Sequence, residues 1–245
     1  MRFLFAGESH LVVEFGDKID LHLNKMVHFM ANEIASLGKE GIIETIPTYR
    51  SLLISFNPLV ITVGEVQTIC ERTLDGEKTL SPVRAVVVEV PTLYGGEGGP
   101  DLLEVAEQTG LTTDEVIQIH CEKNYPIYMI GFMPGYPYLG GLSSKIAVGR
   151  LKVPRTKVPG GSVGIAEQQT GIYPIDSPGG WRIIGHTPLK LYNPHASPPS
   201  VLKAGQYVRF LAVSQEEYDE ICLRVADGTY ITKIEECKEG VECRS

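Results

Sequence analysis

The residues of this chain that are best suited to chemistry lie in a stretch rich in Gly and Pro, from Gly131 to Pro188. Glycine lets the backbone adopt positive φ or approach a ligand closely, and proline stiffens the same loops. Such a mixture is typical of preorganised loops around a pocket, although a small β-structure also needs tight turns. Within these loops, polar or aromatic function comes from four side chains: Arg155, Gln169, Trp181 and His186.

Two of these side chains have the chemistry of a catalytic group. The Arg155 guanidinium follows a proline and can present its fork of donors to a carboxylate or a phosphate. The His186 imidazole titrates near neutral pH and can carry a proton. The indole of Trp181 can wall a pocket or fill a core. We therefore predict His186 and Arg155 as catalytic residues.

Two common catalytic signatures are missing from the sequence. It contains no Gly-x-x-x-x-Gly-Lys-[Ser/Thr] phosphate loop and no His-Glu-x-x-His zinc helix. Ser162 lies among glycines and could act as a nucleophile, but no base is paired with it in the sequence, so hydrogen bonding in a turn is the preferred interpretation. The histidines lack the short spacing of a metal site, so we predict no metal.

Short apolar segments separated by Gly and Pro must position these loops. They cover residues 127–132, 162–166, 172–174, 181–184, 189–192 and 207–213. Many short strands between tight turns predict a β-barrel or a β-sandwich. Two short helices are predicted before them, beginning near Asp101 and near Thr112. Residues 215–225 predict a terminal helix, followed by a mobile charged tail over residues 233–245.

The first part of the chain has a different pattern. An apolar alternation over residues 2–15 predicts a strand or hairpin, and a helical spacing follows the candidate N-cap Asp20 and stops at Gly38. Two short strands, a weaker helix and a strong strand come next, over residues 42–46, 51–56, 63–74 and 84–90. This β-α-β-β-α-β order predicts a ferredoxin-like domain over residues 1–92, with an additional hairpin strand, and a second domain over residues 93–245.

The composition excludes several classes of function. The formal net charge is -8 and no basic stripe is present, so nucleic acid is not an expected partner. The N-terminal residues 1–13 lack the continuous apolar region of a secretory signal, and no run is long enough to cross a bilayer, so no membrane partner is expected. The five cysteines have no Cys-x-x-Cys spacing and fit reduced thiols. We expect a cytoplasmic protein.

Seven motifs carry a resemblance to a known family. They are Tyr94-Gly-Gly-Glu-Gly-Gly-Pro-Asp101, Gly131-Phe-Met-Pro-Gly-Tyr-Pro-Tyr-Leu-Gly-Gly141, Pro154-Arg155, Val158-Pro-Gly-Gly-Ser-Val-Gly-Ile165, Gln169-Thr-Gly-Ile-Tyr-Pro174, Ser177-Pro-Gly-Gly-Trp181 and Ile184-Gly-His-Thr-Pro188. In this order they resemble the 5-oxoprolinase B-subunit family, which also includes a sporulation-kinase inhibitor and the first-subunit domain of allophanate hydrolase and urea carboxylase. The resemblance covers residues 1 to about 213. It implies an α+β protein with a cyclophilin-like β-barrel as its C-terminal domain.

The resemblance also implies an activity. Members of the family take part in the ATP-driven opening of the 5-oxoproline lactam to glutamate, so the expected partners are 5-oxoprolinase subunits A and C and the small-molecule substrate 5-oxoproline. An unstrained amide is a poor electrophile, and phosphorylation of its oxygen by ATP would make it a better one. The ATP requirement belongs to the complex, and its site can lie on a partner subunit. The chain alone is expected to be inactive.

The loops of the Gly131 to Pro188 stretch are expected to supply the contacts with substrate. Arg155 and Gln169 are candidates for anion or amide contacts, and His186 is the candidate proton carrier. The predicted substrate-binding residues are Phe132, Pro134, Gly135, Tyr138, Ser162, Gln169, Tyr173, Gly179, Gly180 and Trp181.

Two other functions stay open on the sequence. In one, the barrel surface docks on a sporulation histidine kinase and inhibits it. In the other, the chain is a component of a urea carboxylase or allophanate hydrolase system. The sequence departs from the usual family pattern at Gly160, where Ala is usual, and in its continuation from Gln215 to Ser245.

Overall fold

The structure, a computed structural model, describes residues 1–75 and 84–238. The chain divides into two compact units, Met1–Val83 and Arg84–Ser245. The sequence predicts the boundary between the two domains after residue 92. In the structure, the strand that begins at Arg84 lies in the second unit. No helix within the described ranges is long and apolar enough to cross a membrane.

The first unit combines an antiparallel sheet with two helices. Its elements are β1 (Arg2–Phe5), β2 (His10–Glu14), α1 (Leu21–Ser36), β3 (Ile42–Pro47), β4 (Ser51–Phe56) and α2 (Val63–Asp75). The strand order is β1-β2-β4-β3. At the predicted N-cap, the Asp20 carboxylate accepts the backbone N–H groups of the first turn of α1. The apolar face of this helix, including Val27 and Met30, is buried with the inner face of the sheet, and this burial stabilises the helix.

The prediction of a ferredoxin-like first domain is not confirmed. It required residues 84–90 as the fourth strand of the first sheet, but β1 occupies the edge beside β2. Residues 84–90 instead form part of β5 (Arg84–Tyr94), whose parallel neighbour is residues 207–212. Its apolar run predicts a strand but does not fix its partner, because pairing depends on distant residues.

The second unit is built on a closed β-barrel. Its strands are β5, β6 (Tyr125–Ile130), β7 (Pro137–Gly140), β8 (Arg155–Val158), β9 (Ser162–Ala166), β10 (Gln169–Ile172), β11 (Ser177–Gly179), β12 (Arg182–His186), β13 (Tyr207–Ala212) and β14 (Ile234–Lys238). In the described residues the main sheet runs β12-β9-β10-β7-β6-β13-β5-β14, and the pairing of β12 with β5 closes it. Strands β8 and β11 pair separately. The structure therefore has a barrel and not a sandwich, while its cyclophilin-like topology stays a prediction.

Helices flank the barrel at both ends of the unit's sequence. They are α3 (Leu102–Thr109), α4 (Thr113–Cys121) and α5 (Gln215–Ala226), with a short 3₁₀ helix at Ser144–Ile146. All three α-helices form where the sequence predicts them, and α4 has a capping box between Thr112 and Glu115. The prediction of a charged tail from residue 233 is wrong in its first part, because β14 pairs with β5. Residues 239–245 of that tail lie outside the described residues.

Candidate functional site

A pocket of about 470 Å³ opens at the end of β12 where His186 lies. Four parts of the second unit form it: the end of β5 with the loop that follows it, the loop between β8 and β9, the end of β12 and the first turns of α5. Its lining residues are Leu93, Tyr94, Gly95, Gly96, Glu97, Gly98, Pro159, His186, Gln215 and Tyr218. The structure therefore places the predicted proton carrier in a pocket, together with a helix that lies beyond the resemblance.

Both ring nitrogens of His186 are hydrogen-bonded. Its Nε2 lies 2.9 Å from the carbonyl oxygen of Gly160, and its Nδ1 lies 2.7 Å from the hydroxyl oxygen of Tyr218. A carbonyl oxygen can only accept, so Nε2 carries the hydrogen and Nδ1 accepts the hydrogen of the Tyr218 hydroxyl. Burial lowers the pKa of His186 and favours this neutral ring, although the bond to Gly160 opposes that shift.

The close packing around His186 depends on glycine. Gly161 has a φ of +91°, and a Cβ added there would lie 2.6 Å from His186 Cε1. At Gly99, an added Cβ would lie 2.1 Å from the carbonyl oxygen of Ile184. The glycines of two predicted motifs therefore bring their loops against β12, which supports the interpretation of close backbone approach.

The pocket carries no cationic side chain of the lysine or arginine type among its lining residues, whereas Glu97 contributes a carboxylate. A carboxylate or phosphate of a ligand would therefore meet no fixed positive charge from these residues. The pocket instead offers one neutral imidazole, the phenol of Tyr218 and the amide of Gln215. Such groups suit a neutral polar portion of a ligand, for example an amide.

Arg155, the second predicted catalytic residue, is engaged elsewhere. Its Nη2 lies 2.6 Å from Oδ1 of Asp101, whose Oδ2 accepts the backbone N–H of Ile183 at 2.7 Å. A longer bond of 3.5 Å joins Arg155 to the carbonyl oxygen of Trp181. Trp181 directly precedes β12 and His186 ends it, a separation of ~16 Å at ~3.3 Å per residue. The structure therefore does not bring the two predicted catalytic residues together.

Most of the predicted aromatic residues gather around a tyrosine that the sequence analysis did not single out. The ring of Tyr136 is the centre of this aromatic cluster. Its edge-to-face neighbours, with centroids at 5.2 to 6.1 Å, are Phe132, Tyr138, Tyr173 and Trp181. Such contacts fix ring orientations and add to the stability of the core. Trp181 is 6% exposed and belongs to this small core, so its ring fills a core and does not line the pocket at His186.

Phe132 differs from the other members of the aromatic cluster. It is 72% exposed and has a φ of 64°, a conformation that side chains other than glycine rarely adopt. An exposed aromatic ring held in an unfavourable backbone conformation is a candidate contact residue. Pro134 is exposed in the same loop, and Gly135 is buried with a φ of 79°.

The remaining predicted substrate-binding residues lie on or next to strands β9, β10 and β11. Ser162 is 2% exposed in β9, next to His186 in the β9–β12 register, and Gln169 begins β10 in a half-buried position. A Cβ added at Gly179 would lie 2.3 Å from the hydroxyl oxygen of Tyr173, so this glycine makes room for a tyrosine of the aromatic cluster. Gly180 is half-buried. None of these residues lines the pocket at His186.

The sequence analysis missed a buried chain of hydrogen bonds in the barrel. The Tyr94 hydroxyl lies 2.6 Å from Nδ1 of His120, and His120 Nε2 lies 2.8 Å from Oγ1 of Thr170, which donates to the carbonyl oxygen of Gly164. His120 is fully buried, and burial lowers its pKa to about 3. The chain of bonds fixes the Tyr94 ring, which lines the pocket. Nothing in the spacing of these residues indicated their contact.

No group of three or more potential metal ligands occurs in the described ranges 1–75 and 84–238. Residues 1–202 match a known protein family, the carboxyltransferase domain, subdomain C and D. The match covers the first unit and the second unit as far as the loop before β13. It therefore includes His186 but not α5.

Named relatives match over almost their full lengths. The chain is 42% identical over 222 residues to the B subunit of 5-oxoprolinase from Bacillus subtilis, with 86% of this chain and 92% of that protein covered. It is 35% identical over 211 residues to the protein of the same name from Escherichia coli O157:H7, with 86% and 95% covered.

A solved structure is also similar. A protein of Pyrococcus horikoshii, described as conserved and uncharacterized, is 43% identical, with 89% of this chain and 100% of that chain covered and a TM-score of 0.53. Because the family match spans both units and the relatives of one name match at such identity over nearly their whole length, the chain belongs to the 5-oxoprolinase B-subunit family.

Proposed function

We propose that this chain is the B subunit of an ATP-dependent 5-oxoprolinase, which opens the lactam of 5-oxoproline to give glutamate. The observation that carries the proposal is its 42% and 35% identity to two proteins named as this component of 5-oxoprolinase, of which it covers 92% and 95%. Proteins this similar over nearly their full length share a fold and the arrangement of their site residues.

The pocket at His186 supports a part of this chemistry. Hydrolysis of the lactam breaks its C–N bond, water adds to the carbonyl carbon, and the departing nitrogen takes up a proton. Burial favours the neutral form of His186, and its proton-accepting nitrogen is Nδ1, which is bonded to the Tyr218 hydroxyl; a proton would therefore be taken up and given back at Nδ1, with the Tyr218 hydroxyl turning from donor to acceptor. ATP supplies the activation that an unstrained amide needs. The pocket is ~470 Å³ in volume, a size within the usual range for small-molecule sites.

The electrostatics of the pocket support a need for partner subunits. The substrate carries a carboxylate and ATP carries phosphates, yet the pocket lining contains Glu97 and no lysine or arginine. Arg155 is held by Asp101. We therefore propose that subunits A and C supply the cationic groups and the ATP site, and that the chain alone is inactive. Arg155 is then a residue that holds the Asp101 loop against β12, in place of the substrate anion contact predicted from the sequence.

Reconstitution tests this proposal. Glutamate release from 5-oxoproline is measured with this chain alone, with subunits A and C alone and with all three, each with and without ATP. We expect release only from the complete mixture with ATP. His186→Gln should remove most of that activity, while Arg2→Ala, which removes an exposed ion pair on β1 of the first unit, should not. Equal rates with and without this chain, in a mixture shown to assemble, would overturn the proposal.

A further inference from the structure

Helix α5 begins at a fixed point on the barrel. The backbone N–H of Val213 donates to the carbonyl oxygen of Thr92 at 3.1 Å, immediately before the helix. Ser214 and Glu217 then form a capping box, in which each side chain accepts the other's backbone N–H. The first turn is therefore held in place, and Tyr218 follows directly after it. This anchoring sets where the phenol of Tyr218 lies.

In the contact of α5 with the barrel, Tyr218 meets His186 through both its ring, at a centroid distance of 6.0 Å, and its hydroxyl. The helix rests on the barrel through one half-buried stripe, Tyr218, Ile221, Cys222 and Val225, and none of its residues is fully buried. Its other face is open, with Leu223 71% exposed. Within this modest contact, one polar interaction is specific: the 2.7 Å bond between the Tyr218 hydroxyl and His186 Nδ1.

Together with the contact to Gly160, this bond favours one proton form of His186. The Gly160 carbonyl oxygen requires a hydrogen on Nε2, and the Tyr218 hydroxyl provides a donor to Nδ1. Burial raises the pKa of Tyr218 to about 12, so the hydroxyl keeps its hydrogen at neutral pH. With both contacts present, the Nε2–H tautomer is selected and the ring cannot turn without losing two hydrogen bonds.

We propose that Tyr218 is a positioning residue for His186: through its hydroxyl, α5 holds the imidazole as the Nε2–H tautomer with Nδ1 as the acceptor, and at the same time forms a wall of the pocket. This inference rests on the proposed function for the meaning of His186 in the reaction. The structural part of it, the control of the tautomer, concerns the chain alone. Residue 218 lies beyond residue 202, where the family match ends.

Other titratable groups near His186 are few in the described chain. Cys222 lies near Tyr218 on α5 and is, after burial, a cause of its raised pKa. Glu97 lines the same pocket from the loop after β5. Asp176 accepts the backbone N–H of Gly160, the residue whose carbonyl binds Nε2. A titration of His186 must therefore be compared between variants that leave these groups unchanged.

Nitrogen NMR of the histidine side chains tests the proposal on the full chain by itself. The signals of His186 are assigned with a His186→Gln variant, since the chain has six histidines. We expect the unsubstituted protein to show the Nε2–H tautomer at neutral pH. Tyr218→Phe keeps the ring and removes only the hydroxyl. It should lower the ratio of the Nε2–H to the Nδ1–H tautomer about fivefold, which is what a net hydrogen bond of ~1 kcal/mol contributes.

The matched control is Tyr230→Phe, in a half-buried tyrosine that packs beside α5 and does not line the pocket. It should leave the tautomer ratio of His186 unchanged. A Nδ1–H tautomer in the unsubstituted protein, or an unchanged ratio in a folded Tyr218→Phe variant, would overturn the inference.

Activity of the three-subunit mixture provides the second readout. Tyr218→Phe should lower kcat at neutral pH while KM stays within about twofold, because the substitution changes the proton carrier more than the pocket volume. An unchanged kcat would count against the positioning role. Complete inactivity of the unsubstituted mixture would instead overturn the proposed function and leave the NMR result as the test of the inference.

Discussion

The ion pair between Arg155 and Asp101 leads to a quantitative prediction. The side chain of Asp101 is 7% exposed and accepts from Arg155 at 2.6 Å and from the Ile183 N–H at 2.7 Å. Removal of one member of a buried pair costs ~3–5 kcal/mol, whereas an exposed pair contributes ~0–1 kcal/mol. The Arg155 side chain is 31% exposed, which lies between these cases. We therefore expect Arg155→Ala to lower the free energy of unfolding by ~2 kcal/mol.

Urea unfolding followed by tryptophan fluorescence measures this change. Trp181 is the only tryptophan of the chain and is buried in the second unit, so its emission reports the unfolding of the barrel. Lys157→Ala is the matched control, because Lys157 lies on the same strand and pairs with Asp176 while the two side chains are 69% and 57% exposed. We expect this control to change the free energy of unfolding by less than ~0.5 kcal/mol.

The double variant Arg155→Ala with Asp101→Asn tests whether the loss of stability in Arg155→Ala comes from the unpaired charge left on Asp101. Since Asn removes the unpaired buried charge, the double variant should lose less stability than the sum of the two single variants. If Arg155→Ala were no more destabilising than Lys157→Ala, the ion pair would not explain the position of Arg155. Its guanidinium would then again be a candidate anion contact.

Three further predictions concern buried histidine, glycine and strained backbone. Burial holds the pKa of His120 near 3, so its neutral form stabilises the fold above pH ~6.5, and this contribution is lost as the pH falls toward 3. Between pH 6 and 4 the free energy of unfolding should therefore fall more steeply than it does in His120→Gln, by up to ~1.4 kcal/mol per pH unit. Equal slopes in the two proteins would contradict this. Gly161→Ala should displace His186 and lower the melting temperature well beyond Gly228→Ala, whose φ is also positive but whose added Cβ meets open space; equal shifts in a thermal melt would refute the packing argument. Phe132→Gly should change the free energy of urea unfolding by less than ~1 kcal/mol, because relief of the left-handed backbone offsets the lost ring contact with Tyr136. Turnover in the assembled enzyme should fall. A larger change in stability or an unchanged turnover would contradict this.

Local patterns in the sequence predicted the helices and most of the strands. The N-cap Asp20 and the capping pair Thr112 and Glu115 are signals contained within one turn of chain, and the structure has helices directly after Asp20 and Thr112. The apolar segment that begins at Arg84 was equally clear as a strand. Its place in the barrel was not predictable, because that depends on pairing with residues 207–212, more than a hundred positions away.

The candidate site was predictable in part for the same reason. The glycine-rich motifs indicated loops around a pocket, and His186 does line a pocket. Its partner Tyr218 comes from a helix that neither the motifs nor the resemblance included. Arg155 was assigned an anion contact because its type suits one, and the structure pairs it with the buried carboxylate of Asp101, a partner that the sequence did not indicate. The sequence alone does not show which charge reaches which partner.

A titration of this chain into a fixed amount of subunits A and C, with ATP and 5-oxoproline present, tests the central claim most directly. The measured quantity is the rate of glutamate release. The proposed function predicts no release without the chain, and a rate that rises with added chain and then saturates. A rate that stays at zero across the titration, although the three chains form a complex, would contradict the assignment of this protein as the missing component of a 5-oxoprolinase.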